Sequence, residues 1–291
     1  MSLLRRSAAT LLLPAVLAGC AATLDNAAPA RRQVALLNQR GVELHRNGDP
    51  AAAARLFEQA VRAAQAIEHE DGIAQGLLNL ARARLQQDMP DAADAALDRL
   101  LAPSALAFPA ARRAEALLHK TNLALQRRDL DAAARWHGQA LAACACACAQ
   151  GPALLNLGAR IALERDDPEA ALRDARAALA RHRSDGNLVE AANALRLAGA
   201  AQLARHGRDG RAAALPELAE ALELDKRLAL SDKIVQDLVL LGHASDAGAR
   251  RAWWLRARDV AQAAGKTRLL ADIDTLLAAP SAPPEPPRNP E

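Results

Sequence analysis

A period of about forty residues runs through this chain and constrains its fold more than any other feature. Asp49-Pro50 is followed by Ala53, Phe57 and Ala60. The same offsets return at Ala93, Leu97 and Leu100 behind Pro90, and at Ala133, His137 and Ala140 behind Asp129-Leu130. They return again at Ala171, Ala175 and Ala178 behind Pro168, and at Ala214, Leu218 and Ala221. Steps of four and then three place such residues on one face of an α-helix. Small residues there let a second helix approach closely, and a larger one fills the groove between the two. A unit of this kind cannot bury its apolar face alone and must stack on its neighbours.

The segment before each of these helices is also helical in pattern and ends in a polar turn. Leu37, Gly41 and Leu44 precede Asn47-Gly48-Asp49; Leu155, Gly158 and Leu163 precede Arg165-Asp166-Asp167; Leu195, Gly199 and Leu203 precede His206-Gly207-Arg208. Pro50, Pro90 and Pro168 suit the first turn of a helix, where no amide donor is lost. The unit is therefore helix, turn, helix. Over Val34 to Leu277 it resembles the tetratricopeptide repeat (TPR), with Gly41, Ala53, Phe57 and Ala60 on that family's small and large positions. Ala53, Ala93, Ala133, Ala171 and Ala214 are spaced by 40, 40, 38 and 43 residues, where the usual repeat has about 34. The longer step resembles the variant found in kinesin light chains, spindle-orientation adaptors and peptide-sensing bacterial regulators. Glu70 to Ala74 and Ser184 to Leu188, each opening a new unit, fit that variant. His137 and Ala175 depart from it by replacing the large residue, and tyrosine is absent. The resemblance implies an all-α, right-handed solenoid of five to six repeats over residues 34–278, with Gly242, Ala249 and Trp253 marking a divergent sixth unit as terminal cap.

The two ends read differently. Arg5 and Arg6 precede an apolar stretch from Ala8 to Leu17, the length of a signal-peptide core and too short for a membrane span of about 20 residues. It closes on Leu17-Ala18-Gly19-Cys20, which resembles the lipobox of bacterial lipoprotein precursors. That resemblance implies a signal peptide over 1–19, lipid attachment at Cys20, and an anchor with a short linker over 20–33. More than one acyl chain would hold the protein firmly on a membrane, and Ala21 after the cysteine fits outer-membrane sorting, with the protein facing the periplasm. Residues 279–291 are dominated by proline and carry no large apolar side chain, so an extended, solvated tail is expected.

Charge and chemistry narrow the function. The net charge is +3, and removal of Arg5 and Arg6 leaves +1; nucleic acid requires a concentrated basic face instead. No catalytic motif survives inspection. Gly265-Lys266-Thr267 has Val260 where a phosphate loop needs glycine; His69-Glu70 is followed by Ile73 where a zinc protease has histidine; Ser245 beside His243 and Asp246 lacks a nucleophile elbow. No cofactor or metal is expected. Cys144, Cys146 and Cys148 alternate with alanine before Gly151-Pro152. On a helix the first and third share a face, so a local disulfide, a soft-metal site and plain small-residue filler all remain open.

What remains is binding. Each first helix, which forms the inner wall of such a solenoid, carries one asparagine: Asn38, Asn79, Asn122, Asn156 and Asn193. An amide offers both a donor and an acceptor, so such a row can pair with the backbone of an extended peptide; solvated asparagines in a polar groove are the alternative. His45, Arg46, Arg82, Gln86, Gln126 and Arg196 lie nearby in sequence. Trp253-Trp254 reads as core of the capping unit, or else as a docking patch. The expected function is a membrane-anchored scaffold that holds protein partners or extended peptide segments in envelope biogenesis. It resembles the pilotins of type IV pili and the repeat lipoproteins of cell-wall and outer-membrane assembly. A peptide-sensing receptor is the alternative.

Overall fold

The computed structural model describes residues 29–144, 148–205 and 207–279. The signal peptide, Cys20, the first part of the linker, Cys146, His206 and the tail from Pro280 onward lie outside the described residues.

Among the described residues all regular structure is helical. Six consecutive pairs follow one another: α1 (Pro29–Arg46) with α2 (Pro50–Gln65), α3 (Glu70–Gln86) with α4 (Pro90–Leu101), and α5 (Ala110–Gln126) with α6 (Leu130–Cys144). Then come α7 (Gly151–Glu164) with α8 (Pro168–Ser184), α9 (Leu188–Ala204) with α10 (Gly207–Arg227), and α11 (Ser231–Ala244) with α12 (Ala247–Ala263). A single helix, α13 (Thr267–Ala278), closes the series. Two boundaries differ from expectation. Residues 29–33, read as linker, already belong to α1, which Pro29 opens as prolines do at a first turn. The sixth unit is a full pair, and α13 takes the capping role.

The repeat face is where the pattern puts it. Ala53, Phe57, Ala60, Ala93, Leu97, Leu100, Ala133, Ala140, Ala171, Ala175, Ala178, Ala214, Leu218 and Ala221 are all buried. Close approach explains the small residues opposite. A Cβ on Gly41 would lie 2.5 Å from the Phe57 ring, and one on Gly199 would lie 2.5 Å from Leu218. His137 is half-buried and bridges pairs, its Nε2 lying 2.9 Å from the Leu154 carbonyl oxygen on α7. In the sixth pair the register is one residue later than expected. Trp254, rather than Trp253, packs over Gly242, Ala257 and Ala261 are buried, and Ala249 is exposed.

Stacking follows a rule that fixes which wall is inner. Each first helix also packs on the next first helix, α1 on α3, α3 on α5, and so on to α9 on α11. Comparable contact does not join successive second helices among the described residues. The first helices therefore crowd together on the inside of the curve and the second helices fan outward.

Candidate functional site

The inner wall is built from polar side chains set into the first helices. Gly41, Ala81, Thr121, Gly158 and Gly199 hold equivalent buried positions. Counted from these, the asparagines fall three before, two before, one after, two before and six before. At about 100° per residue they share an arc of roughly 100° but sit at different levels along their helices. Their environments differ accordingly.

Asn38, Asn79 and Asn156 are buried, while Asn122 and Asn193 are half-buried. The amide of Asn79 donates to Asn38 Oδ1 at 3.2 Å, and Arg82 donates to Asn79 Oδ1 at 3.0 Å. Arg82 also pairs with Glu115 on α5, which faces Arg112, and Arg112 holds Asp71 at 2.8 Å. That pairing keeps the Asp71 carboxyl below its usual range. One polar ladder thus ties α1, α3 and α5 together. A second ties α7, α9, α10 and α11. Asn156 donates to Glu190 Oε2 at 3.0 Å, Asn193 donates to the same oxygen at 3.3 Å, and Arg196 donates to Asn193 Oδ1 at 3.4 Å. Arg196 then reaches Asp237 at 2.7 Å and pairs with Asp225. Both acids are fully buried, and Asp225 Oδ1 and Asp237 Oδ2 have no further partner. Burial, with Asp225 alongside, pushes the Asp237 carboxyl up to about 7 against the pull of Arg196.

Between the ladders the wall is less committed. Asn122 bonds only within its own helix, donating to the Leu118 carbonyl oxygen at 3.4 Å. One turn away, desolvation and the Arg82 charge lower the His119 imidazole to about 4, so it is neutral at physiological pH. A neutral imidazole and an amide together present two donors and two acceptors. Sequence reasoning missed His119, as it missed the two acids that clasp Arg196.

The remaining sequence candidates take structural positions. Cys144 and Cys148 form a disulfide at the end of α6, with Cα atoms 5.2 Å apart, and the described residues contain no cluster suited to a metal ion. Trp253 and Trp254 are half-buried against the terminal core. The Trp254 indole donates to the Val239 carbonyl oxygen at 3.2 Å, and Arg256 lies over the Trp253 ring at 4.4 Å. At the far end of the inner wall an apolar cleft of about 340 Å³ opens between α11 and α13.

Helix pairs of this geometry, stacked first helix on first helix, have a counterpart among solved structures. A Rap protein complexed with competence and sporulation factor matches at a TM-score of 0.64, over 86% of this chain and 70% of that one, with 14% identity. The chain is a TPR-like α-solenoid. At that identity the likeness concerns the fold alone. No family model and no curated protein matches the chain.

Proposed function

We propose that this protein is a binding scaffold that holds extended segments of other proteins along its inner wall, from a lipid anchor on the periplasmic face of the outer membrane. The observation that carries the binding half is the gap between the two ladders. His119 and Asn122 stand there on a concave wall with hydrogen-bonding capacity not tied to a neighbouring helix. Elsewhere on the wall Asn38, Asn79 and Asn156 brace one helix against the next and Asn193 is held by Glu190 and Arg196 of its own helix, so a bound segment would have to compete for their amides. The anchoring half rests on the lipobox resemblance at Leu17 to Cys20. A role in envelope assembly follows from that location. A peptide-sensing receptor is the second reading, favoured by the likeness to a Rap protein complexed with its factor.

Two experiments separate the halves. Metabolic labelling with an alkyne fatty acid should tag the wild type and not Cys20→Ala, and equal labelling of both would remove the anchor. For binding, the full chain is panned against a displayed library of linear 12-residue peptides. Asn122→Ala should weaken the selected peptides by about 0.5–1.5 kcal/mol with the melting temperature unchanged. Asn156→Ala should lower the melting temperature, because its partners Glu190 and His182 lose a buried donor. Unaltered affinity in Asn122→Ala would place binding elsewhere.

A further inference from the structure

The cleft at the end of the inner wall occupies a break in the stacking rule. From α1 to α11 every first helix packs on the next one, yet α13 makes its substantial contact with α12 alone. Where α13 would meet α11, the side chains of Val239, Leu240, Leu269 and Leu276 are left half-buried around the open volume, with Ile273 and Val235 at its floor. Such a cleft leaves aliphatic carbon without the partner atoms that close packing supplies elsewhere.

Its position connects it to the rest of the wall. Arg196 lines the cleft and also donates to Asn193, so the second polar ladder runs directly into the cleft's side. The surroundings are short of positive charge. Arg196 is shared between Asp225 and Asp237, Glu190 adds another carboxylate behind Asn193, and Asp272 stands exposed at the rim. Lys233 faces the same acids, and burial lowers its affinity for a proton. An anionic ligand such as a fatty acid would therefore meet repulsion at the mouth.

We propose that this cleft is the anchor pocket of the inner wall, taking one aliphatic or aromatic side chain of the bound segment and disfavouring an acidic residue beside it. The proposal rests on the reading of the wall as a binding surface for extended segments. At about 340 Å³ the cleft is more than twice the roughly 150 Å³ that encloses a benzene ring, so it admits an aliphatic or aromatic side chain as large as phenylalanine, which would supply part of the packing that α11 and α13 do not provide. The backbone on either side of that residue would lie along α9 and α7, towards Asn193 and the gap at His119.

Linear 12-residue peptides selected on the full chain provide the test, with the pocket filled by Val239→Phe or charged from the last helix by Leu276→Lys. Peptides selected on the wild type should share one apolar position. Its replacement by serine should weaken binding about tenfold or more, and an aspartate placed next to it should weaken binding several-fold. In either pocket variant the serine replacement should become silent, and circular dichroism reports which variant keeps its helices. Selected peptides with no shared apolar position, or an effect of serine that persists in both variants, would overturn the pocket and leave the inner wall as a binding surface. A library that yields no binder at all would overturn the binding reading, and the pocket with it.

Discussion

Single side chains in this solenoid divide into those whose surroundings their sequence neighbours reveal and those whose partners sit one repeat away. Ala53, Leu97 and Ala171 belong to the first kind, because spacing on one helix decides what they face. Arg196 belongs to the second. Asp237 lies 41 positions on, and no local pattern marks the two acids that share its guanidinium. Two fully buried carboxylates around one cation make ionisation of Asp237 costly, and its pKa stands near 7 rather than in the usual carboxylate range. An acid whose pKa rises on folding favours the folded state most when protonated. Its contribution is therefore complete below the unfolded value near 4 and declines as pH rises through about 7. Asp237→Asn removes the titration and keeps the shape. Relative to wild type, its melting temperature should rise between pH 5 and pH 8, by several degrees given roughly 2–4 °C per kcal/mol for a chain of this size. Thermal melts across that range check it, and a constant difference would mean that Asp237 does not titrate there. The buried asparagines teach the same lesson. One asparagine in each of the first five inner helices was legible, but not that Asn38 and Asn79 satisfy each other across helices.

Elements end here by one device used repeatedly. After α1, α3, α5 and α7 the chain passes through a left-handed residue, Gly48, Asp88, Arg128 or Asp166. The next amide then donates back across the turn, as Asp49 does to the Leu44 carbonyl and Asp167 to the Ala162 carbonyl, each at 2.9 Å. Asp49, Asp129 and Asp167 at once cap the following helix by accepting from Ala52, Ala132 and Ala170. The turn at Asn47-Gly48-Asp49 was readable because glycine announces a positive φ and aspartate a cap. The turn between α10 and α11 was not, because Ala229 takes φ 55° with no residue type to signal it. Left-handed backbone costs an alanine about 1–2 kcal/mol. Ala229→Gly should accordingly stabilise the protein by up to about 1 kcal/mol once the greater freedom of glycine in the unfolded chain is subtracted. Gly48→Ala should lose a similar amount, since a Cβ there has open space and meets only backbone strain. Urea midpoints at constant slope would show both shifts. The sixth pair was harder to read for a related reason. Adjacent tryptophans offer two registers, and packing over Gly242 selects the second.

At the scale of the whole molecule there is no single core. Buried apolar residues fall into four clusters that follow one another along the chain, the first running from Val34 to Leu123 and the last from Ala214 to Ile273. This is the consequence of stacking, since each pair touches only its neighbours and stability becomes a sum of unit and interface terms. The period made that architecture legible, whereas the capping role of α13 depends on a contact it fails to make and so leaves no mark in sequence. Resistance to opening should then vary along the chain. Helix α3 buries ten residues and α9 buries nine, each between neighbours on both sides, but α13 buries only Ile273. Amides of α13 should therefore exchange with solvent first, those of α12 next, and those of α3 and α9 last. Hydrogen-exchange mass spectrometry on the full chain measures this order, and uniform protection from α1 to α13 would mean that the solenoid opens as one unit. A peptide seated between α11 and α13 would add the missing neighbour to the last helix. Protection gained on binding should consequently concentrate in α13 and the facing half of α11 while α3 stays unchanged, a pattern that general stabilisation of the fold would not produce.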